Sequence, residues 1–102
     1  MMKKRELSGV YFRIGDENID WLDMSLVDRA SILAGKDVPF IRNMIEILRD
    51  VYDMMSEYEF HTKPTRSQLP DDRDSLIEEL EMLTARIRLM ADRYDFHYEE
   101  EE

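Results

Sequence analysis

The stretch "VPFIRNMIEILRDVYDMMSEY", Val38 to Tyr58, decides how this chain folds. Ile41, Met44, Leu48, Val51, Met55 and Tyr58 step 3, 4, 3, 4, 3, the spacing of heptad a and d positions on one helix. Phe40, Ile47 and Met54 take the g positions, and Ile45 and Tyr52 take two e positions. The polar residues, among them Arg42, Glu46, Arg49, Asp50, Asp53 and Glu57, fall at b, c and f. Four of seven positions are thus apolar, where a helix on the rim of a small domain needs about three in seven. The pattern predicts a helix buried on more than half its circumference. Asp37 is placed to cap it, and Pro39 lies in its first turn, where the missing N–H costs nothing.

A shorter helix precedes it. Ser25 is its expected cap, with Asp28 three positions on in place of the usual Glu. Leu26, Ala30 and Leu33 fall on one face, and Gly35 is placed for a left-handed C-cap. Earlier still, "GVYFRIGDENIDWLDMS" reads as a β-hairpin. Val10, Phe12 and Ile14 alternate with Tyr11 and Arg13, then Ile19 and Trp21 alternate with Asp20 and Leu22. Gly15-Asp16-Glu17-Asn18 is expected to form a four-residue turn. A two-stranded hairpin is marginal alone, so it must lie on helices. One reading has a single face of the hairpin covering the helices; the other makes Tyr11, Phe12 and Trp21 a recognition surface.

"HTKPTRSQLPDD", His61 to Asp72, has two prolines and no periodicity, and reads as a linker. Beyond it, Leu76, Leu80, Leu83, Ile87, Met90 and Tyr94 form the seam of a third helix, for which Asp71, Asp72 and Ser75 are all candidate caps. A second apolar line, Met82, Leu89 and Phe96, recurs every seven residues. The i, i+4 spacing suits ion pairs of Arg42 with Glu46, Arg49 with Asp53 and Arg88 with Asp92. The fold class is therefore mainly α (α+β): one hairpin-plus-helices domain over residues 1–98 with helical-bundle packing, and an acidic disordered tail over 99–102.

Composition narrows the function. The chain has 102 residues, no cysteine and a net charge of −10, four units of it from the tail Glu99 to Glu102. Direct nucleic-acid binding is disfavoured, since phosphate contacts need a basic face. "MMKKREL" leads into no apolar run, so no signal peptide is visible, and no run approaches a membrane span. A cytoplasmic protein is the expectation.

Catalytic constellations are sparse. MazG-type nucleotide pyrophosphohydrolases carry E-E-x-x-E on one helix and E-x-x-D on the next. Here Glu78-Glu79-Leu80-Glu81-Met82 places methionine at the third acid, and Asp92-x-x-Asp95 lies on the same helix. Glu79 and Asp92 are thirteen residues apart, about 20 Å along the axis, too far to share an ion whose oxygen ligands lie within ~2.6 Å. His61 and His97 have no second histidine at i+3 or i+4, and no serine has nucleophile-elbow context. No cofactor or metal is expected, and no catalysis.

"RELSGVYFRI" followed after a turn by "WLDMSLVDRASILAGKDVPFIRNMIEILRD" resembles short reading frames of phages and prophages, over roughly residues 5–50. The resemblance implies a small accessory role in a bacterial cytoplasm and transfers no catalytic residue. Two long helices carry more apolar surface than a hairpin and one short helix can easily cover, and large exposed apolar patches mark partners. The expected function is non-catalytic: homo-oligomerisation, a homodimer or higher, and contact with a host or phage protein. The interaction residues are those of the helix seams: Leu76, Leu80, Met82, Leu83, Ile87, Leu89, Met90, Tyr94 and Phe96, with Phe40, Ile47 and Met54. The alternative is an acidic DNA mimic that inhibits a host DNA-acting protein, with Asp16, Glu17, Asp20, Asp23 and Asp28 as one acidic patch and the last helix as another; a helical metal-dependent nucleotide hydrolase comes third.

Overall fold

The computed structural model describes residues 8–94. The acidic tail, Phe96 and His97 lie outside the described residues. The elements are β1 (Tyr11–Ile14), β2 (Glu17–Asp20), a 3-10 turn (Trp21–Asp23), α1 (Leu26–Ala34), α2 (Val38–Phe60) and α3 (Arg73–Tyr94). The chain is mainly helical, with an N-terminal antiparallel hairpin, as its periodicities imply.

β1 and β2 pair with Ile14 opposite Glu17 and Tyr11 opposite Asp20. The turn is therefore two residues, Gly15-Asp16, rather than the expected four. Gly15 has φ +63° while Asp16 keeps a negative φ, the pattern of a type II′ turn. Glu17 and Asn18 are thus free to pair. The second strand also ends sooner than its alternation suggests. The Asp20 carboxylate accepts from the Leu22 amide at 2.9 Å and turns the chain into the 3-10 segment, so consecutive Trp21 and Leu22 are both fully buried. The same carboxylate accepts from Ser8 Oγ at 2.8 Å and from the Gly9 amide at 3.2 Å, which ties the start of β1 to the end of β2.

Ser25 caps α1 by accepting from the Asp28 amide at 3.1 Å, and Asp37 caps α2 by accepting from Phe40 at 3.1 Å. The inward line of α1 is Arg29, Ile32 and Leu33, whereas Leu26 and Ala30 are exposed. Gly35 has φ −101°, so α1 does not end in a left-handed cap. From α3, the Arg73 guanidinium donates to Leu33 O and, at 3.1 Å, to Lys36 O. The helix closes with i→i+3 bonds from the Gly35 amide to Ile32 O at 3.3 Å and from the Lys36 amide to Leu33 O at 3.0 Å, and the side chain from α3 adds to them.

Arg73 also reveals the direction of α3. It begins beside the junction of α1 and α2. The linker travels back along α2: Arg66 bonds Asp53 and Asp50, and Arg42 near the start of α2 donates to Pro70 O at 3.2 Å. Glu79, Leu83 and Arg86 then line one cavity with Arg49, Tyr52 and Asp53. So α3 runs the same way as α2, with the linker as a return crossover. The core lies between them and under the hairpin: Ile41, Met44, Ile45, Leu48 and Met55 of α2, with Leu76, Leu80, Leu83, Ile87 and Ala91 of α3, all buried.

Candidate interaction surfaces

A parallel helix pair has two long grooves, and this chain fills them with different material. One is closed by the hairpin and the 3-10 turn. Trp21 is wholly buried, and its indole N–H donates to Thr84 Oγ1 at 3.0 Å, while the Thr84 hydroxyl donates to Leu80 O at 2.7 Å. The indole donor and the threonine hydroxyl thus satisfy each other away from water. Phe12 packs at 5.7 Å from the Trp21 ring and 6.2 Å from that of Phe40. The hairpin aromatics Phe12 and Trp21 are packing residues, not a recognition surface, and Tyr11 alone of the three faces outward.

Beside Trp21 lies an ion pair that short-range patterning does not reveal. Arg29 Nη2 meets Glu81 at 3.0 Å, with the two side chains 7% and 25% exposed. Arg29 Nη1 also donates to Met24 O at 2.6 Å, and its guanidinium sits 6.0 Å from the Trp21 ring centroid. The only available sign is Arg29 four positions before Leu33 on the inward line of α1; its partner lies 52 residues on.

The second groove is covered by the linker. Arg66 donates to Asp50 at 2.6 Å, Asp53 at 2.7 Å and Glu46 at 3.2 Å. Its hydrogen bonds to Asp50 and then Asp53 hold the guanidinium pKa above the usual arginine range. Arg42 turns to Asp71, and Arg49 to Ser67. The i, i+4 pairs expected for Arg42 and Arg49 give way because the linker offers nearer partners. Under the linker is a cavity of about 150 Å³, lined by Arg49, Arg66 and Arg86 but also by Asp53 and Glu79. Its charges nearly cancel, and small-molecule sites are usually ~300 Å³ or more.

The interaction residues expected from sequence fall into three groups. Leu76, Leu80, Leu83 and Ile87 are buried in the chain's own core, and Met90, Phe40 and Ile47 are partly buried. Tyr94 is the last residue of α3, and Phe96 falls outside the described residues. Met82 and Leu89 are 52% and 61% exposed, on the side of α3 turned away from the core, and Met54 of α2 is 54% exposed.

The acids do not assemble a metal centre: among the described residues no group of three or more His, Asp or Glu could hold an ion. Glu81 is committed to Arg29, while Glu79 faces the linker cavity. The acidic array of the hairpin is interrupted, since Asp20 is 1% exposed and serves as a cap. No described helix is long and apolar enough to cross a membrane. Compared with protein-family models, with curated proteins and with solved structures, the chain matches none.

Proposed function

We propose that this chain is a small non-catalytic binding protein, an accessory protein of a phage or of a bacterial cytoplasm, that acts through self-association and contact with another protein. The observation that carries this reading is the outer line of α3. Met82, Ala85 and Leu89 share a face opposite the buried seam, and the two large residues are more than half exposed. The core of α3 is already complete within one chain, because Leu76, Leu80, Leu83, Ile87 and Ala91 are covered by α2, the hairpin and the 3-10 turn. The outer line is therefore not an unfinished part of the core. A repeated exposed pair of this kind suits a helix from a second copy, related by a two-fold axis.

Sedimentation velocity of the full chain, with and without Leu89→Glu, tests the reading. The expected result is a dimer for the parent and a monomer for the variant, with unchanged helical circular dichroism. A parent that stays monomeric to millimolar concentration sinks self-association. A variant that unfolds instead places Leu89 in the core.

A further inference from the structure

Two guanidinium groups under the linker lack the carboxylate partners that the linker's own arginine has. Arg66 uses all its guanidinium nitrogens on Asp50, Asp53 and Glu46. Arg49, on α2, makes a single long bond, 3.4 Å, to Ser67 Oγ among the described residues. Arg86, on α3, makes no hydrogen bond or ion pair among the described residues. Both line the cavity of about 150 Å³ that the linker covers with Thr65 and Ser67. Helix geometry places them there. Arg49, Tyr52 and Asp53 lie at i, i+3 and i+4 on α2, and Glu79, Leu83 and Arg86 at i, i+4 and i+7 on α3, so each trio shares one face.

The near-cancellation of charge around this cavity is uneven. Asp53 is neutralised by Arg66. That leaves Arg49 and Arg86 against Glu79, which pairs with neither. Two guanidinium forks and two hydroxyls gathered from three segments are the donor set that suits a tetrahedral oxyanion. The volume is below the ~300 Å³ at which sites for drug-sized ligands begin, so it admits a single small ion and not a nucleotide. We propose that this cavity binds inorganic phosphate. Arg49 and Arg86 would take its anionic oxygens, with the Thr65 and Ser67 hydroxyls beside them, and Glu79 would accept the proton that phosphate keeps at neutral pH. The carboxylate decides the identity of the ion. Sulfate has no proton to give and would meet Glu79 as a like charge, whereas hydrogen phosphate donates to it. The net charge of −10 is spread over the surface and screened within about 8 Å at physiological ionic strength, while the guanidinium groups act at contact. Met82 and Leu89 do not line the cavity, so this proposal and self-association stand or fall separately.

The test is amide NMR of the isotope-labelled full chain, titrated at fixed ionic strength with sodium phosphate. Saturating shifts are expected around Thr65 to Ser67, with a Kd of about 1 mM or tighter. Arg49→Gln and Arg86→Gln should each weaken binding about tenfold. Arg13→Gln removes the same charge from the exposed hairpin and should cost about twofold or less. The parent should bind sulfate about tenfold more weakly than phosphate, and Glu79→Gln should bring the two anions within about threefold. Glycerol phosphate, whose second pKa is about 6, has lost its last proton at about pH 7.5 and should also bind about tenfold more weakly. No saturation by roughly 20 mM phosphate, shifts spread evenly over the surface, or equal losses from Arg13→Gln and Arg86→Gln would overturn the proposal. Sulfate bound as tightly as phosphate would do the same. Glycerol phosphate bound as tightly would overturn the assignment to the free ion. Circular dichroism checks that each variant folds. Should Arg49→Gln loosen the linker, Arg86→Gln carries the test, since it removes no bond among the described residues.

Discussion

The two grooves of the α2–α3 pair are the same geometry closed in opposite ways. Trp21 closes one from inside, with an apolar ring and one internal hydrogen bond. Arg66 closes the other from outside, with a fan of carboxylates in contact with water. The division follows from the parallel course of the helices. A chain that must return along a helix of 23 residues, about 35 Å, does so in extended form on the surface, where it has little apolar area to offer. The apolar seal must then come from the N-terminal side. Stability should accordingly be concentrated in the Trp21 groove, and the linker groove should set register at small energetic gain.

Trp21→Ala is the strongest way to break that asymmetry. Removing a fully buried Trp costs about 3–5 kcal/mol, against a total stability of roughly 5–15 kcal/mol for a domain. The variant is expected to be largely unfolded at physiological temperature by circular dichroism. A loss below about 1 kcal/mol would show that the groove is not the centre of the fold. Glu81→Ala comes next. Deleting one partner of a fully buried ion pair costs about 3–5 kcal/mol; with Glu81 a quarter exposed, about 2–3 is expected in urea unfolding. Arg29→Ala combined with Glu81→Ala should cost less than the sum of the two, because the single variants each strand a charge.

Arg66→Ala tests the other groove. Three ion pairs at a side chain 36% exposed are worth about 1 kcal/mol or less, and salt screens them. The variant should lose little stability at physiological ionic strength, and its deficit should shrink further in high salt. A loss comparable with that of Glu81→Ala would erase the contrast between the grooves.

How far the fold could be read from sequence follows the same divide. The caps Ser25 and Asp37, and the inward heptad of α2 from Ile41 to Met55, are local features, and all hold. Tyr58 continues that spacing but lies exposed, although Met55 one turn before it is fully buried. Trp21 lies inward as the strand alternation has it, but Leu22 does too, because the Asp20 carboxylate, engaged by Ser8 and the Leu22 amide, turns the chain into the 3-10 segment. Gly35 looks like a left-handed cap, whereas α1 closes with i→i+3 bonds to which Arg73, 38 positions on, adds its own. Arg29–Glu81 and the course of α3 are likewise set by residues far apart in the chain. In the candidate surfaces, Met82 and Leu89 were legible as a line apart from the α3 seam. On α2, Met54 was legible as an interaction candidate at a g position, whereas the exposure of Tyr58 was not, since it read as part of the buried heptad.

The smallest expected effect sits where the linker ends. Asp72, rather than Asp71 or Ser75, caps α3: its carboxylate accepts from the Ser75 amide at 2.9 Å. That bond, followed by one from the Ser75 side chain, holds the Asp72 carboxyl pKa below its usual 3.8. A pKa lowered by folding means that the folded state favours the ionised form. Its contribution is therefore fully present above the unfolded carboxylate range and is lost as pH falls through the folded value. Asp72→Ala should be less stable than the parent near neutrality, and the gap should close as pH is taken below about 4. Thermal midpoints of the two proteins across that interval provide the measurement. A gap that stays constant to acid pH would mean that Asp72 matters for the shape of the linker end and not for the charge at the head of α3.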